Sequence, residues 1–302
     1  MSKIHWVALA MTGRIGGKTI TRLLAHFGSL EAVIEATTDE LLNVPQIGKA
    51  TASAIRQIDM THIESECAQL ARQQINIITW EDVETYPANL LRCEDAPPVL
   101  FSRGMPHRGD SRAVALVGTR TPRPESAILT HKIAYELAHR SWIIVSGLAL
   151  GIDGAAHQGA LEAGGRTLAV LGSGLRRVYP PTHDALAGQI ADCGAVLSEL
   201  HPDEQVSPQT LIARNRITSG LSRAVIVVQS GEDSGSMSTA RRAWQQGRTV
   251  FAVLGGDSGC DQLLANGAHP LDPSSIDYDM LSDQLDQSII RDADSPPQTP
   301  LC

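Results

Sequence analysis

Residues 113–120 of this chain are Ala-Val-Ala-Leu-Val-Gly-Thr-Arg, an apolar run of five residues that ends in glycine and two polar residues. The run does not alternate between polar and apolar residues, as is typical of a strand that is buried on both faces of a parallel sheet. A helical pattern follows at 126–140, and a second apolar run follows that helix at 142–145. Strand–helix–strand units of this kind build doubly wound α/β folds.

The same alternation continues to about residue 271. The helical patterns at 154–163 and 238–246 separate further apolar runs, which lie at 166–171, 195–197, 224–228 and 249–254. Because continuous apolar strands alternating with helices indicate a parallel sheet covered on both faces, we predict an α/β fold here. We expect a Rossmann-like, doubly wound and mainly parallel sheet over residues 113–271.

The first 60 residues have apolar residues at helical spacing and no strand-like run. Residues 19–27 and 30–36 each predict a helix. Residues 44–49 predict a tight turn before another helix, as in a helix-hairpin-helix, where backbone N–H groups and Lys49 would bind phosphate. A hairpin that serves only packing is the alternative. We therefore predict a small all-helical domain over residues 1–60.

Two segments flank the predicted sheet. Residues 61–112 predict one helix, near 63–73, followed by a loop-rich linker region. Residues 272–302 form an acidic tail, with one basic and seven acidic residues. We expect this tail to be flexible, with little fold of its own apart from a short helix near 279–290.

The composition excludes several classes of protein. No apolar run approaches the ~20 residues of a membrane helix, and the N-terminus lacks the pattern of a signal peptide. The five cysteines show no Cys-x-x-Cys spacing and are odd in number, which argues against a zinc site or a disulfide framework. We expect a cytoplasmic protein with no metal ion and no cofactor.

The formal net charge of −8 is unevenly distributed along the chain. The tail contributes −6 of it, whereas residues 113–271 hold 13 basic and 13 acidic residues. Only four of the 25 basic residues are lysine, so phosphate binding within the sheet domain would fall to arginine. This distribution permits a local basic pocket.

Small and polar residues follow every predicted strand of the sheet. In an open α/β sheet, ligands bind beyond the carboxyl ends of the strands. Glycine lets backbone N–H groups approach an anion there, and serine, threonine and arginine can hydrogen-bond to phosphate. Tyr179 could stack on a base, or with Pro180 it could serve loop rigidity. These loops predict a site for a phosphate-bearing ligand.

Arg214, Asn215 and Arg216 stand together between two of the predicted strands. Two planar guanidinium forks flanking an amide suit the recognition of phosphate and bases. A solvated helix face or an ion-pair site is the alternative interpretation of this triplet.

Patterns of enzymes are weak in this chain. Gly172-Ser173-Gly174 begins like a dinucleotide-binding fingerprint, but Arg177 stands where the third glycine would be, and no P-loop motif occurs. The candidates for acid–base chemistry, Asp153, His157 and Glu199, are dispersed. Asp153 could instead cap the helix that is predicted to start near residue 154. We therefore assign no catalytic residue and expect no enzyme activity.

Taken together, these segments resemble the DNA-processing protein A (DprA/Smf) family. The order and spacing of short motifs carry the resemblance, at 117–120, 146–153, 171–174, 179–180, 214–217, 234–240 and 266–268. The helical N-terminus is similar to the SAM or helix-hairpin-helix-like domain of that family. The resemblance thus extends over nearly the whole chain.

The resemblance implies a homodimeric protein that binds and protects incoming single-stranded DNA. It also implies that the protein loads a RecA-type recombinase during natural transformation and does not bind a membrane. It places DNA at Arg120 and the 172–177 loop, with Arg214 and Arg216 close by. On this basis Arg214→Ala with Arg216→Ala should weaken DNA binding and its salt dependence. The DNA-binding candidates are Gly118, Thr119, Arg120, Ser146, Gly147, Gly172, Ser173, Gly174, Arg176, Arg177, Tyr179, Arg214, Asn215, Arg216, Ser234, Gly235, Ser236 and Thr239.

An enzyme or a nucleotide sensor on the same fold is the alternative. Nucleotide phosphoribohydrolases of the lonely-guy type use a Pro-Gly-Gly-x-Gly-Thr-x-x-Glu motif. The corresponding residues 255–262 of this chain, Gly-Gly-Asp-Ser-Gly-Cys-Asp-Gln, lack the proline, the threonine and the glutamate.

Overall fold

The computed structural model describes residues 3–13 and 15–288. In the N-terminal part, short helices follow one another before the longer helix α6. Their bounds are α1 Lys3–Ala10, α2 Gly17–Phe27, α3 Leu30–Glu35, α4 Thr38–Leu42, α5 Lys49–Arg56 and α6 Met60–Arg72. The predicted helices at 19–27 and 30–36 are confirmed as α2 and α3.

From residue 76 onward, strands alternate with helices. The strands are β1 Asn76–Thr79, β2 Val99–Gly104, β3 Ala113–Val117, β4 Ile143–Ser146, β5 Thr167–Val170, β6 Ala195–Ser198, β7 Ala224–Val227, β8 Thr249–Val253 and β9 His269–Leu271. The helices are α7 Ala88–Leu91, α8 Pro124–His139, α9 Ile152–Glu162, α10 Asp184–Cys193, α11 Pro208–Leu221, α12 Gly235–Gln245, α13 Ser258–Ala265 and α14 Tyr278–Gln287. None of the helices within 3–13 and 15–288 is long and apolar enough to cross a bilayer.

The strands form one sheet in the order β1-β2-β6-β5-β4-β3-β7-β8-β9. Strands β3 to β9 are parallel to one another, and β2 pairs with β6 in the antiparallel direction. The chain runs outward from β3 through β4, β5 and β6, and then returns to the other side of β3 as β7. The predicted doubly wound, mainly parallel α/β fold is therefore confirmed, with its switch point between β3 and β7.

Both faces of the sheet are covered. In β3, Val114 and Leu116 lie in the core on one face, with α8 and α9. Ala113, Ala115 and Val117 lie in the core on the other face, with α11 and α12. This arrangement explains why the strand has no polar alternation, since a polar side chain on either face would be buried without water.

The N-terminal helices pack against the sheet domain through a shared core. Apolar residues of α1 to α6 contact one another and also Ala169 of β5, Val196 of β6 and residues of α10. Local capping fixes the short helices: the Ser29 side chain accepts from Ala32 N, and Thr37 and Glu40 form a capping box. The turn at 44–49 joins α4 to α5, as predicted.

The structure differs from the prediction for residues 61–112. This segment is not only a linker, because β1 and β2 extend the sheet beyond β6 and α6 packs on α1. Residues 99–102 of β2 are buried, and residues 101–104 pair with β6. A buried edge of β6 needs hydrogen-bond partners, and β2 supplies them.

The acidic tail also differs from the prediction, because part of it is folded. Helix α14 packs against α8 and buries Leu281 and Leu285. The Trp142 ring N–H donates to Ser282 Oγ over 3.0 Å, and Arg112 pairs with Asp286 at 2.7 Å. Arg112, Arg140 and Arg223 thus pair with acidic residues that sequence composition alone would assign to solvent. The predicted helix at 279–290 is shorter, and residues 289–302 lie outside the described part.

Candidate nucleic-acid interface

Loops from five parallel strands, β3, β4, β5, β6 and β7, meet at one edge of the sheet. We call this edge the rim and define it by residues 118–123, 146–151, 171–180, 199–216 and 228–239, which include the first turns of α11 and α12. Its loops are bonded to one another: Thr119 N donates to Gln229 O over 2.8 Å, and Ile152 N donates to Thr119 O over 3.2 Å. Candidates that are far apart in sequence therefore share one surface.

Four of the predicted rim glycines are required by contacts within the protein. A Cβ at Gly147 would overlap the Arg214 guanidinium, and one at Gly174 would overlap the carbonyl oxygens of His201 and Pro202. At Gly118 and Gly172 a Cβ would come within 2.6 Å of Ile152 and 2.9 Å of Leu211. These glycines let the loops pack on one another, whereas a Cβ at Gly235 would have space around it.

Arg214 is buried, with 7% of its surface exposed. Its Nη1 donates to the carbonyl oxygen of Val170, and its guanidinium lies against the backbone of Gly147. Burial lowers the pKa of Arg214, and the nearby Asp153 carboxylate opposes that shift. In this structure Arg214 therefore contacts protein and not solvent.

Asp153 is not the helix cap that the sequence suggested. Helix α9 begins at Ile152 with Gly151 as its N-cap, and the Asp153 carboxylate faces back into the preceding loop. There it accepts from Gly147 N over 3.0 Å and from Ala149 N over 3.4 Å. Burial raises the pKa of Asp153, opposed by Arg214 and these N–H groups. The carboxylate thus holds the β4 loop over Arg214.

Arg216 and Asn215 also have partners within the protein. Arg216 forms an ion pair with Glu199 and lies 3.8 Å from Asp95, and 16% of its side chain is exposed. Asn215 Nδ2 donates to Gly235 O over 3.1 Å and so ties α11 to α12. The ion-pair alternative holds for Arg216, whereas Arg214 and Asn215 donate to backbone carbonyls. Removing both arginines would damage packing. The double variant Arg214→Ala with Arg216→Ala, which was expected to report on DNA contacts, therefore does not isolate them.

Arg176 binds three side chains at once. Its Nη2 lies 2.9 Å from Glu66, its Nη1 lies 2.6 Å from Asp203, and its Nε donates to Gln73 over 2.7 Å. Only 15% of the Arg176 side chain is exposed. We call Arg176, Arg214 and Arg216 the inner arginines, since each of them is held by protein groups.

Arg120 and Arg177 differ from that group. Both side chains are exposed, and neither has a hydrogen bond or ion pair among residues 3–13 and 15–288. They lie on the loops of β3 and β5, which β4 separates, so the strands beneath them are about 10 Å apart. We call these two the outer arginines. Tyr179, 42% exposed, lies on the β5 loop with Arg177.

The rim hydroxyls mostly face protein. The buried Ser146 Oγ donates to Leu116 O over 2.6 Å, and Ser173 Oγ is buried without a hydrogen-bond partner in the part of the chain that the structure describes. Ser236 Oγ lies 2.8 Å from both Ser230 and Ser234, and Thr239 is buried. Since Ser234 caps α12, these hydroxyls build the end of that helix.

His157 and Glu199 are occupied by contacts within the protein as well. His157 is fully buried, and its Nδ1 lies 2.7 Å from the Thr167 hydroxyl, which itself donates to Ile144 O. The ring therefore donates through Nδ1, and burial lowers its pKa to about 3. Burial raises the pKa of Glu199, and its pairing with Arg216 opposes that rise.

A polar network at the rim was not predicted. Arg123 pairs with Asp257, and Gln229 Nε2 donates to the same carboxylate over 2.6 Å. The Arg123 backbone N–H also donates to Gln229 Oε1 over 3.0 Å. This network joins the loops after β3, β7 and β8. No local motif points to this network. Arg123 lies more than 100 residues before Gln229 and Asp257, and those two residues follow different strands.

Comparison with known proteins agrees with this architecture. The sequence model of the DNA recombination-mediator protein A family matches residues 76–280, and a helix-hairpin-helix motif matches residues 6–59. Protein Smf of Synechocystis sp. is 35% identical over 274 residues, which are 87% of this chain and 69% of that protein.

Two solved structures are similar over most of their length. DNA processing protein A from Streptococcus pneumoniae superposes with a TM-score of 0.76 and 33% identity, covering 90% of this chain and 95% of that one. DNA processing protein A from Helicobacter pylori, which binds single-stranded DNA, superposes with a TM-score of 0.61 and 30% identity. That match covers 71% of this chain and 96% of the other.

Proposed function

The chain belongs to the DNA recombination-mediator protein A family, whose members are also called DprA or Smf, and we propose that it binds single-stranded DNA along the rim. The relative from Helicobacter pylori binds single-stranded DNA, which supports this choice of ligand. The family and the fold thus supply the class of function, and the rim supplies the candidate residues.

One observation carries the proposal: the outer arginines and Tyr179 are exposed together on one edge of the sheet. Single-stranded DNA is bound by cationic side chains that follow the backbone and by aromatic rings on which bases stack. Arg120 and Arg177 can each meet a phosphate, and Tyr179 can meet a base.

We propose further that the protein passes this DNA to a RecA-type recombinase during DNA uptake, in the cytoplasm and as a homodimer. No catalytic turnover is required for such a role. The side chains that could support acid–base chemistry are used in the fold: Asp153 holds the β4 loop, His157 is buried, and Glu199 pairs with Arg216. This assignment supports a binding protein over a phosphoribohydrolase.

Fluorescence anisotropy with labelled oligonucleotides tests the DNA-binding proposal. We expect single strands to bind more tightly than duplexes of the same length, and affinity to fall as salt rises. A folded protein that binds neither form at low salt would overturn the proposal. Binding of free nucleotides without DNA would instead favour the nucleotide-sensing alternative.

Recombinase loading needs a separate measurement. The DNA-dependent ATPase of a RecA-type recombinase can be followed on single strands already covered by a single-strand binding protein. We expect the chain to shorten the lag before ATP hydrolysis. An unchanged lag, with DNA binding intact, would contradict the loading role.

A further inference from the structure

The β5 loop, residues 171–180, is attached to helix α6 through the side chain of Arg176. Glu66 and Gln73 of α6 both bind this guanidinium, at 2.9 Å and 2.7 Å. The Glu66 side chain is 10% exposed, so the ion pair is largely shielded from water. Helix α6 packs on α1 of the N-terminal helices, and it therefore connects the helical domain to the rim.

The backbone on either side of Arg176 is fixed as well. Arg176 N donates to Pro202 O over 2.9 Å, and Gly174 N donates to Glu204 O over 2.8 Å. Asp203, between those two acceptors, is the second carboxylate on the Arg176 guanidinium. The loop is thus clamped between α6 and residues 201–204, whereas the next residue, Arg177, points into solvent.

We propose that Glu66 and Arg176 act as positioning residues for DNA binding. Helix α6 holds the β5 loop so that Arg177 and Tyr179 face the bound single-stranded DNA. This inference rests on the proposed function. Arg176 then contributes to affinity without touching phosphate, and Glu66, a carboxylate about 110 residues earlier in the chain, contributes to the binding of a polyanion. Ordering free side chains on binding costs affinity, and a loop that is fixed beforehand avoids that cost.

A metal ion does not fit this cluster better than the guanidinium does. Glu66, His201 and Asp203 offer ligand atoms within 4.8 Å of one another. Arg176 already binds both carboxylates, and a cation there would have to displace it or lie beside its positive charge. The same acidic side chains are therefore better explained as the partners of Arg176.

The direction in which one substitution changes DNA affinity distinguishes positioning from simple electrostatics. Removing a carboxylate near a DNA site should strengthen binding if only charge matters, because a repulsive group is lost. If Glu66 positions the loop, Glu66→Ala should weaken single-strand binding about tenfold, since Arg177 and Tyr179 must then be ordered by the DNA. Alanine keeps α6 helical, and Arg176 retains Gln73 and Asp203 as partners, so we expect the substituted protein to fold.

Glu64→Ala is the matched control. Glu64 lies on the same helix, carries the same charge and is exposed, and we expect its removal to leave affinity unchanged or slightly higher. The atoms that pair, Glu66 Oε1 and Arg176 Nη2, have no hydrogen-bond partner among the described residues, so the contact depends on charge. Glu66→Gln should therefore weaken binding as Glu66→Ala does, whereas the loss of a merely repulsive charge would strengthen it. Equal affinities for Glu66→Ala and Glu64→Ala would overturn the inference.

Hydrogen–deuterium exchange without DNA distinguishes this inference from the proposed function. In Glu66→Ala, amides of residues 172–179 should exchange faster than in wild type, and in Glu64→Ala they should not. If that difference appears but the wild-type protein binds no DNA, the coupling stands and the proposed function fails. If exchange is unchanged in Glu66→Ala, the loop does not depend on α6 and the inference fails.

Discussion

The inner and outer arginines lie on the same edge of one sheet, yet their surroundings are opposite. Arg176, Arg214 and Arg216 are largely or fully buried, and each has a carboxylate beside it or close to it. Arg120 and Arg177 are exposed and have no acidic partner among residues 3–13 and 15–288. The sequence presents five similar arginines, and burial divides them into a group that holds the loops and a group that can bind a ligand.

This division has a physical basis. A guanidinium that has lost water and is held by protein acceptors must give up those bonds to reach a phosphate. An exposed guanidinium exchanges only water and counterions for the phosphate, and the released counterions favour binding. The inner arginines should therefore affect stability, and the outer arginines should affect affinity and its salt dependence.

The largest effect is expected for Arg214→Ala. The substitution leaves the buried Asp153 carboxylate without its nearby cation and Val170 O without its donor. We expect the free energy of unfolding to fall by about 3 kcal/mol, measured by urea denaturation. Arg177→Ala is the control and should change it by less than about 0.5 kcal/mol. Equal stabilities for the two variants would remove the distinction between inner and outer arginines.

The second effect concerns the outer arginines. Arg120→Ala with Arg177→Ala should weaken single-strand binding on the order of 100-fold, because two charged hydrogen bonds are lost. The slope of log affinity against log salt should become shallower by about 1.4, since each phosphate contact on a single strand contributes about 0.7.

A control for this pair lies at the opposite edge of the sheet. Arg103 of β2 is opposite Val196, near the amino end of β6, and has no ion pair within the described residues. Arg103→Ala removes one positive charge far from the rim and should leave both affinity and slope close to wild type. If Arg103→Ala lowers affinity as much as Arg177→Ala does, overall charge and not the rim governs binding.

The sequence predicted the sheet well because its evidence is local. The strand β3 is a continuous apolar run, and helical spacing on either side of each strand fixes the alternation. Strands β1 and β2 were missed since they lie among prolines and polar residues, and their place in the sheet depends on pairing with β6. Helix α14 was predicted, but its packing was not, because Arg112 and Trp142, distant in sequence, determine where it packs.

For the candidate site, the sequence predicted which loops meet and not which side chains are free. The carboxyl ends of parallel strands share an edge in any such sheet, so Arg120 and Arg214 could be placed on one rim from topology. Whether each arginine has an acidic partner depends on contacts such as Arg176 with Glu66, across 110 positions of sequence. A motif of two arginines carries no information about that pairing.

The third effect concerns His157, in the core of the sheet domain below the rim. Burial lowers the pKa of His157 to about 3, whereas an unfolded histidine has a pKa near 6.5. The unfolded chain therefore binds the proton first, and the stability that neutral His157 contributes is lost as the pH falls below about 6.5. Between pH 7 and pH 5 the free energy of unfolding should fall by about 2 kcal/mol from this residue.

His157→Asn isolates that contribution. Asparagine can still donate to the Thr167 hydroxyl, but it does not titrate, so the variant should lose less stability than wild type over the same pH range. The measurement is urea denaturation of both proteins at pH 7 and pH 5, and parallel losses would show that His157 does not set the acid sensitivity. We expect Tyr179 variants to lose as much stability as wild type between pH 7 and pH 5, because residue 179 lies outside the core.

The smallest effect separates stacking from charge on the exposed side of the rim. Tyr179→Ala should weaken single-strand binding about tenfold, because a base loses its stacking partner, and the salt slope should stay the same since no phosphate contact is removed. Tyr179→Phe keeps the ring and should bind nearly as well as wild type in the same anisotropy titration. If Tyr179→Phe is as weak as Tyr179→Ala, the hydroxyl and not the ring meets the DNA. If both variants bind like wild type, Tyr179 serves the shape of the β5 loop. The outer arginines would then be the exposed rim side chains on which DNA affinity depends.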